Sequence, residues 1–574
     1  MDFSLKLLPP DVLQYIASLI ATSNILDSER NLFPFLMTCS SIYNSLSLAA
    51  APHLYARIFR VKFDTGALFR RVGILTDSLL AKELERRSRF LARARRFRRR
   101  KSLPIILSSE DLRVALRMTL EDDGLNKAHL QSVELKATVL DFLTQVLRTQ
   151  TGVERKGSSS DCCVQEKDVA IALWLLVLSW RRADICHLSE EMRQQLLILL
   201  RPLVYSTLNE KHAVKTEMRR ARTWLENATE QTDNVSMPSP QAVDLDKLYS
   251  CPPASGAAIF LTFALKEVDR LQVPPHLPVD RAAALSSGRF GPTMEDYRAF
   301  VLYRTPLFND DDSALYGSSQ VTRSLRHDPT FFRQEQQVLS HRVPVPRAEL
   351  ETYNYISSFL EGVWEGYYMT SSLDNTSNGS CLLKGPNMGE RMMPDFSCRT
   401  RMQASLSLYV SLEEEDLFPD DWPDSLRGPC EFSMDSDLSL EFSGRSVSYR
   451  KLAARSPREC QMEDSMASRI THCLILGQTL EEHEQAWNAY VFIGTVDKDG
   501  LITMQRIPKY QADSEEGLGT WVFEGHLRFG TALVGTWRSR SSRSDPYQLG
   551  GLFSLGKKLP RDEIPDSRMI RAPG

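Results

Sequence analysis

The spacing of hydrophobic and polar positions changes character along the chain. Near the start, Val12, Leu13, Ile16, Leu19 and Ile20 fall at i, i+1, i+4, i+7 and i+8 and draw one broad apolar stripe on a helix. Pro9 and Pro10 precede Asp11, which puts proline in the first turn and an acid at the positive end of the helix dipole. After the polar connection ATSNILDSER, Leu32, Leu36, Cys39, Tyr43 and Leu46 recur at alternating steps of four and three. Ser40, Ser41, Asn44 and Ser45 take the other side, so a second helix is predicted. Leu54 and Tyr55 close the module after Pro52.

Helical periodicity continues over Leu112–Leu120, Val133–Leu147, Asp168–Trp180, Ser189–Tyr205 and Leu208–Leu225, with Ser189 placed as an N-cap before Glu190 and Glu191. From residue 350 the period falls to two. Leu406, Leu408, Val410 and Leu412 alternate with serine and tyrosine, and Leu438, Leu440 and Phe442 alternate with polar neighbours. Asp499–Gly500 between two such runs is a hairpin signal. Gly362-Val-Trp364, Gly519-Thr-Trp521 and Gly535-Thr-Trp537 share G-x-W, in which glycine relieves crowding at strand bends and tryptophan fills a barrel.

The expected fold is therefore α+β and multidomain. It comprises paired helices over 1–60, a basic helical linker over 61–105, a mostly helical region over 106–345 with a loop near 228–256, an antiparallel β-barrel or sandwich over 350–558, and a tail over 559–574. At 574 residues, with 42% hydrophobic and 25% charged residues, the chain has ordinary globular composition. A net charge of -3 carries no global pull toward nucleic acid or anionic membrane. The most apolar window, Val169–Trp180, is too short to span a bilayer and reads as a core helix. With no secretory signal in MDFSLKLLPPDVLQ, a cytoplasmic or nuclear location is expected.

The search for chemistry finds no catalytic residue, no cofactor motif and no metal site. The ten cysteines form no CxxC pair and the ten histidines no cluster. His483-Glu484 lacks the second histidine of a zinc helix, and Gly551–Lys558 resembles a phosphate loop but has Lys558 where a magnesium-holding hydroxyl belongs. The basic run 86–101, RRSRFLARARRFRRRK, sets Phe90, Ala94 and Phe97 on one helical face. Three readings stand: a linking helix whose long side chains cover apolar surface, a nuclear import signal, and a nucleic-acid or membrane-surface contact.

The order LPPDVLQYIASLI, LFPFLMTCSSIYNSL, LY resembles the F-box. Leu8 and Pro9 match its opening, Val12, Leu13, Ile16 and Leu19 its first stripe, Leu36, Cys39 and Tyr43 the second helix, and Leu54 with Tyr55 its tail. Tyr43 stands where the family usually carries tryptophan. WVFEGHLRFGTALVGTWRSRSS followed by GGLFSLGKK is similar to the C-terminal domain of fungal F-box proteins, and Gly362-Val-Trp364 more distantly resembles the lipocalin-type motif, whose fold brings an arginine over the tryptophan; Arg538 is the candidate. The resemblance implies a non-enzymatic receptor of an SCF-type ubiquitin ligase. Its eleven matched residues would bind a Skp-type adaptor, and through it a cullin, while the β-domain holds an unknown target protein. The alternatives are a small-ligand barrel and a nucleic-acid or membrane-surface binder working through 86–101.

Overall fold

A computed structural model of the chain describes residues 8–26, 32–72, 75–99, 107–150, 166–209, 254–268, 273–289, 291–303, 306–308, 323–327, 360–371, 399–411, 438–442, 445–451, 472–496, 501–509, 521–528, 532–539 and 550–558. The chain divides into two compact units. The first comprises 1–180, 244–254 and 320–331, and the second 181–243, 255–319 and 332–574.

The first unit is helical: α1 (Pro10–Thr22), α2 (Leu32–Leu36), α3 (Ser40–Leu46), α4 (Pro52–Lys62), α5 (Gly66–Val72), α6 (Asp77–Arg99), α7 (Ser109–Leu120), α8 (Leu125–Ser132), α9 (Leu135–Gln150) and α10 (Glu166–Ser179). The second predicted helix is thus two short ones. The break falls at Cys39, whose extended backbone and Sγ, accepting from the Ile42 N–H at 3.5 Å, start α3 as an N-cap. Helix α10 is apolar on all sides and buried through Ala170–Leu176 against α7 and α9. No described helix is long and apolar enough to cross a membrane.

Beneath α6 lies a buried ionic network. Arg87 is fully buried over the rings of Phe59 (4.8 Å) and Phe63 (5.3 Å). It pairs with Glu121 and donates to Asn126 Oδ1 at 3.2 Å, while Arg117 donates to Glu83 at 3.2 Å. Breaking one partner of such a network is costly because the other charge is left desolvated.

The second unit carries a closed antiparallel barrel. Its strands are β1 (Gly362–Ser371), β2 (Arg399–Ser411), β5 (His472–Gln478), β6 (Tyr490–Val496), β7 (Leu501–Pro508), β8 (Trp521–Arg528), β9 (Ala532–Ser539) and β10 (Gly550–Lys557). Strand β1 pairs with both β10 and β2 and seals the ring, while β3 (Leu438–Phe442) and β4 (Arg445–Lys451) form a hairpin joined to β2. Closure leaves the eight wall strands without an open edge. The interior is filled: Trp521 and Trp537 stack at 4.2 Å, Tyr368 stands edge-on to both, and Phe523 meets Phe553 at 5.3 Å. All three G-x-W tryptophans are buried in this core, the Trp364 indole donating to Leu360 O (2.7 Å) and the Trp537 indole to Met369 O (3.0 Å). Glycine makes the close strand approach possible. A Cβ on Gly551 would lie 1.8 Å from Met369 O and 2.7 Å from the Trp537 indole nitrogen.

The expected arginine is a different one. Arg538 does not take the place expected over Trp364 but pairs with Glu524 at 3.4 Å on the outer wall, and it is Arg506 that lies over a G-x-W tryptophan, 3.7 Å from the centre of the Trp521 ring. Strand alternation explains the exchange. Arg538 follows the inward Trp537 and therefore faces out, whereas Arg506 is in step with the inward Ile502 and Met504.

Outside the wall, Arg401 on β2 lies over Phe300 (3.9 Å), Tyr297 (4.4 Å) and Trp487 (4.8 Å). It donates to the carbonyls of Asp296 and Tyr297 at 2.8 and 2.9 Å. Chain order makes residues 254–267, 281–286, 294–303 and 481–487 helices α13, α14, α15 and α16, after α11 (Arg182–Cys186) and α12 (Glu190–Asn209). Arg401 thus pins α15 and α16 to the barrel. His483 on α16 is held neutral, its pKa pushed down to about 3 by burial first and then by Arg401 and Lys558.

Two outcomes are expected. Gly551→Ala should destabilise the barrel by about 1–3 kcal/mol, measured by urea unfolding followed through tryptophan fluorescence. His483 has a folded pKa below its unfolded 6.5, so its contribution is intact above that pH and is lost as pH falls. Comparing His483→Gln with the parent at pH 7 and pH 4.5 should remove a slope of at most about 1.4 kcal/mol per pH unit.

Candidate docking face

Helix α1 divides its hydrophobic residues between two sides. Leu13, Ala17 and Ala21 recur every four residues and are buried, facing the helices that α1 packs against: α2, α3 and α4. Val12, Tyr15 and Leu19, at i, i+3 and i+7, point to solvent from the opposite side. The helix is held in this orientation at both ends. His53 Nε2 meets Gln14 Oε1 at 2.8 Å near its start, and the buried Lys62 ammonium donates to the carbonyls of Ala21 (3.1 Å) and Asn24 (3.4 Å) at its end. A cation on the last carbonyls satisfies groups the helix cannot and matches the sign of its dipole.

The sequence-predicted residues sort accordingly. Leu13 (5% exposed) and Leu54 (2%) are core. Leu8, Ile16, Leu36, Cys39 and Tyr55 are partly covered, while Pro9, Val12, Leu19 (52%) and Tyr43 (50%) are exposed. Tyr55 ties α4 to the end of α3, its hydroxyl donating to Leu46 O at 2.8 Å, and burial raises its pKa. Reading the sequence missed Phe33 (62%) and Met37 (61%), which stand out from α2 and the turn after it. Their i, i+4 spacing was the available signal. Of the fourteen large apolar side chains exposed among the described residues, ten fall between Val12 and Phe69, so apolar exposure is concentrated on these first helices.

Most described arginines of the 86–101 run are engaged within the first unit. Arg86 is near Glu83 (3.4 Å), Arg87 pairs with Glu121, Arg89 with Glu85 and Arg93 with Asp111 (2.6 Å), while Arg95 donates to Leu26 O (2.5 Å). Phe90, Leu91 and Ala94 are buried, as for a helix that covers apolar surface. Residues 100–101 lie outside the described residues, as do the side chains of Arg98 and Arg99, Cys162–Cys163 and the acidic runs near 413–421. No group of acidic, histidine or cysteine side chains among the described residues is arranged to hold a metal.

Truncation separates the two sides of α1. Leu13→Ala should cost the helical unit about 2–4 kcal/mol, whereas Leu19→Ala should stay within about 0.5 kcal/mol, both read from denaturant unfolding by circular dichroism. Comparison with protein-family models, curated proteins and solved structures returned no match to this chain, so the functional argument stands on its own residues.

Proposed function

We propose that this chain is a non-catalytic substrate receptor of an SCF-type ubiquitin ligase, working in the cytoplasm or nucleus. Its first helices dock a Skp-type adaptor, which links it to a cullin, and its β-domain holds the protein to be modified. One observation carries the reading: the exposed apolar stripe of Val12, Tyr15 and Leu19, accompanied by Phe33, Met37 and Tyr43 on helices that touch α1. Side chains of this size contribute about 1.5–3 kcal/mol each when fully buried, so a cluster of them is a favourable surface for a partner. The F-box resemblance supplies the identity of that partner. The mechanism is proximity: binding raises the effective concentration of a target lysine beside the charged conjugating enzyme.

The test must spare the core. In co-purification of the full chain with a Skp-type adaptor, Val12→Asp with Leu19→Asp should weaken adaptor binding at least about 30-fold while leaving the thermal midpoint near the parent's. Undiminished adaptor capture by that folded variant would overturn the proposal. Leu13→Asp is unsuitable, because a charge there unfolds the helices before it interrogates docking.

A further inference from the structure

Arg506 is a charged side chain lodged deep among the inward-facing residues of the barrel. It is 2% exposed. Its guanidinium lies 3.7 Å from the centre of the Trp521 ring, 4.0 Å from Tyr490, 5.4 Å from Tyr368 and 5.9 Å from Phe523. Among the described residues no carboxylate pairs with it, and its Nε and Nη2 have no hydrogen-bond partner. Cation–π contacts are individually weak. Leaving a buried cation without a counter-charge costs more than such contacts return. The aromatic rings therefore offset only part of the cost of placing this charge here.

The two unpartnered nitrogens are not arbitrary ones. Nε and Nη2 share one edge of the planar guanidinium and project parallel donors, the fork that matches the two oxygens of a single carboxylate. A carboxylate is planar like the guanidinium, so the two pair edge to edge, which a tetrahedral anion does less well. The site lies toward one end of the barrel, where β6 and β8 begin at Tyr490 and Trp521 and where β1, β7 and β9 finish. Below it, Met504, Phe523, Trp537 and Phe553 fill the interior and limit the size of anything admitted.

We propose that the Arg506 edge is a binding site for the carboxylate of a small, otherwise apolar or aromatic acid. Both donors are shut away from solvent, so the acid enters as the rings at that end move aside and reclose on it. The site is separate from the adaptor-docking face and does not depend on the ligase reading. Benzoate is the probe, titrated into the full chain by isothermal calorimetry beside benzamide, its neutral counterpart of the same shape, and inorganic phosphate. Saturable benzoate binding is expected, with benzamide and phosphate at least about tenfold weaker. Arg506→Met should abolish benzoate binding. Arg506→Lys, which keeps the charge and loses the fork, should weaken it about tenfold. Benzamide or phosphate binding as tightly as benzoate, a folded Arg506→Met chain binding undiminished, or no saturable benzoate signal from the parent would each overturn the proposal. Should Arg506→Met fail to fold, the benzoate–benzamide comparison on the parent decides alone.

Discussion

A helix at the edge of its unit buries only the side that meets its neighbours, and the opening of this chain is organised around that limit. Helix α1 spends its four-residue repeat of Leu13, Ala17 and Ala21 on internal packing, and the small alanines let its neighbours come close. Val12, Tyr15 and Leu19 are turned outward, with Ile16 and Ile20 partly covered between the two sides. Lys62 and His53 then fix the rotation of the helix, so the outward residues form a defined surface and not a fluctuating one. The reading of this chain as a docking subunit rests on that division of labour within thirteen residues.

The same economy governs the charges. Residues 86–97 look in sequence like a basic face offered to a polyanion. In the fold, Arg87 is interior, stacked on Phe59 and Phe63 and paired with Glu121, and its neighbours meet Glu83, Glu85 and Asp111. These acids lie on the same helix or on and just after α7, and none of them is adjacent to the run's densest part. A local count of charge cannot anticipate pairs that form across helices, where the low dielectric makes each partner matter more.

Period and punctuation revealed much of the architecture. Alternation identified the strands at 406–411, 438–442 and 490–496, the Asp499–Gly500 signal fell between the paired strands β6 and β7, and the G-x-W motifs marked barrel core. What stayed hidden has a common cause. The split between α2 and α3 depends on Cys39 acting as a cap, because a four–three repeat runs through a short break unchanged. Arg506 could not be preferred to Arg538, since which arginine faces inward depends on strand register, and register is set by pairing partners distant in sequence. Leu13 could not be separated from Val12 for a related reason: a broad stripe does not announce which half its own chain will cover.

The ring of strands has one seam, where the first strand meets the last. Tyr367 lies opposite Ser554 and Trp364 opposite Lys557, so closing the wall joins segments separated by about a third of the chain. Such distant pairing is slow to form, and during synthesis the sheet stays an open, adhesive ribbon until the final hairpin leaves the ribosome. A premature stop between the end of β9 at Ser539 and the start of β10 at Gly550 would therefore do more than shorten the product. It would leave one side of β1 and one side of β9 without a partner on an aromatic-rich sheet, and unpaired edges of that kind invite association with other chains.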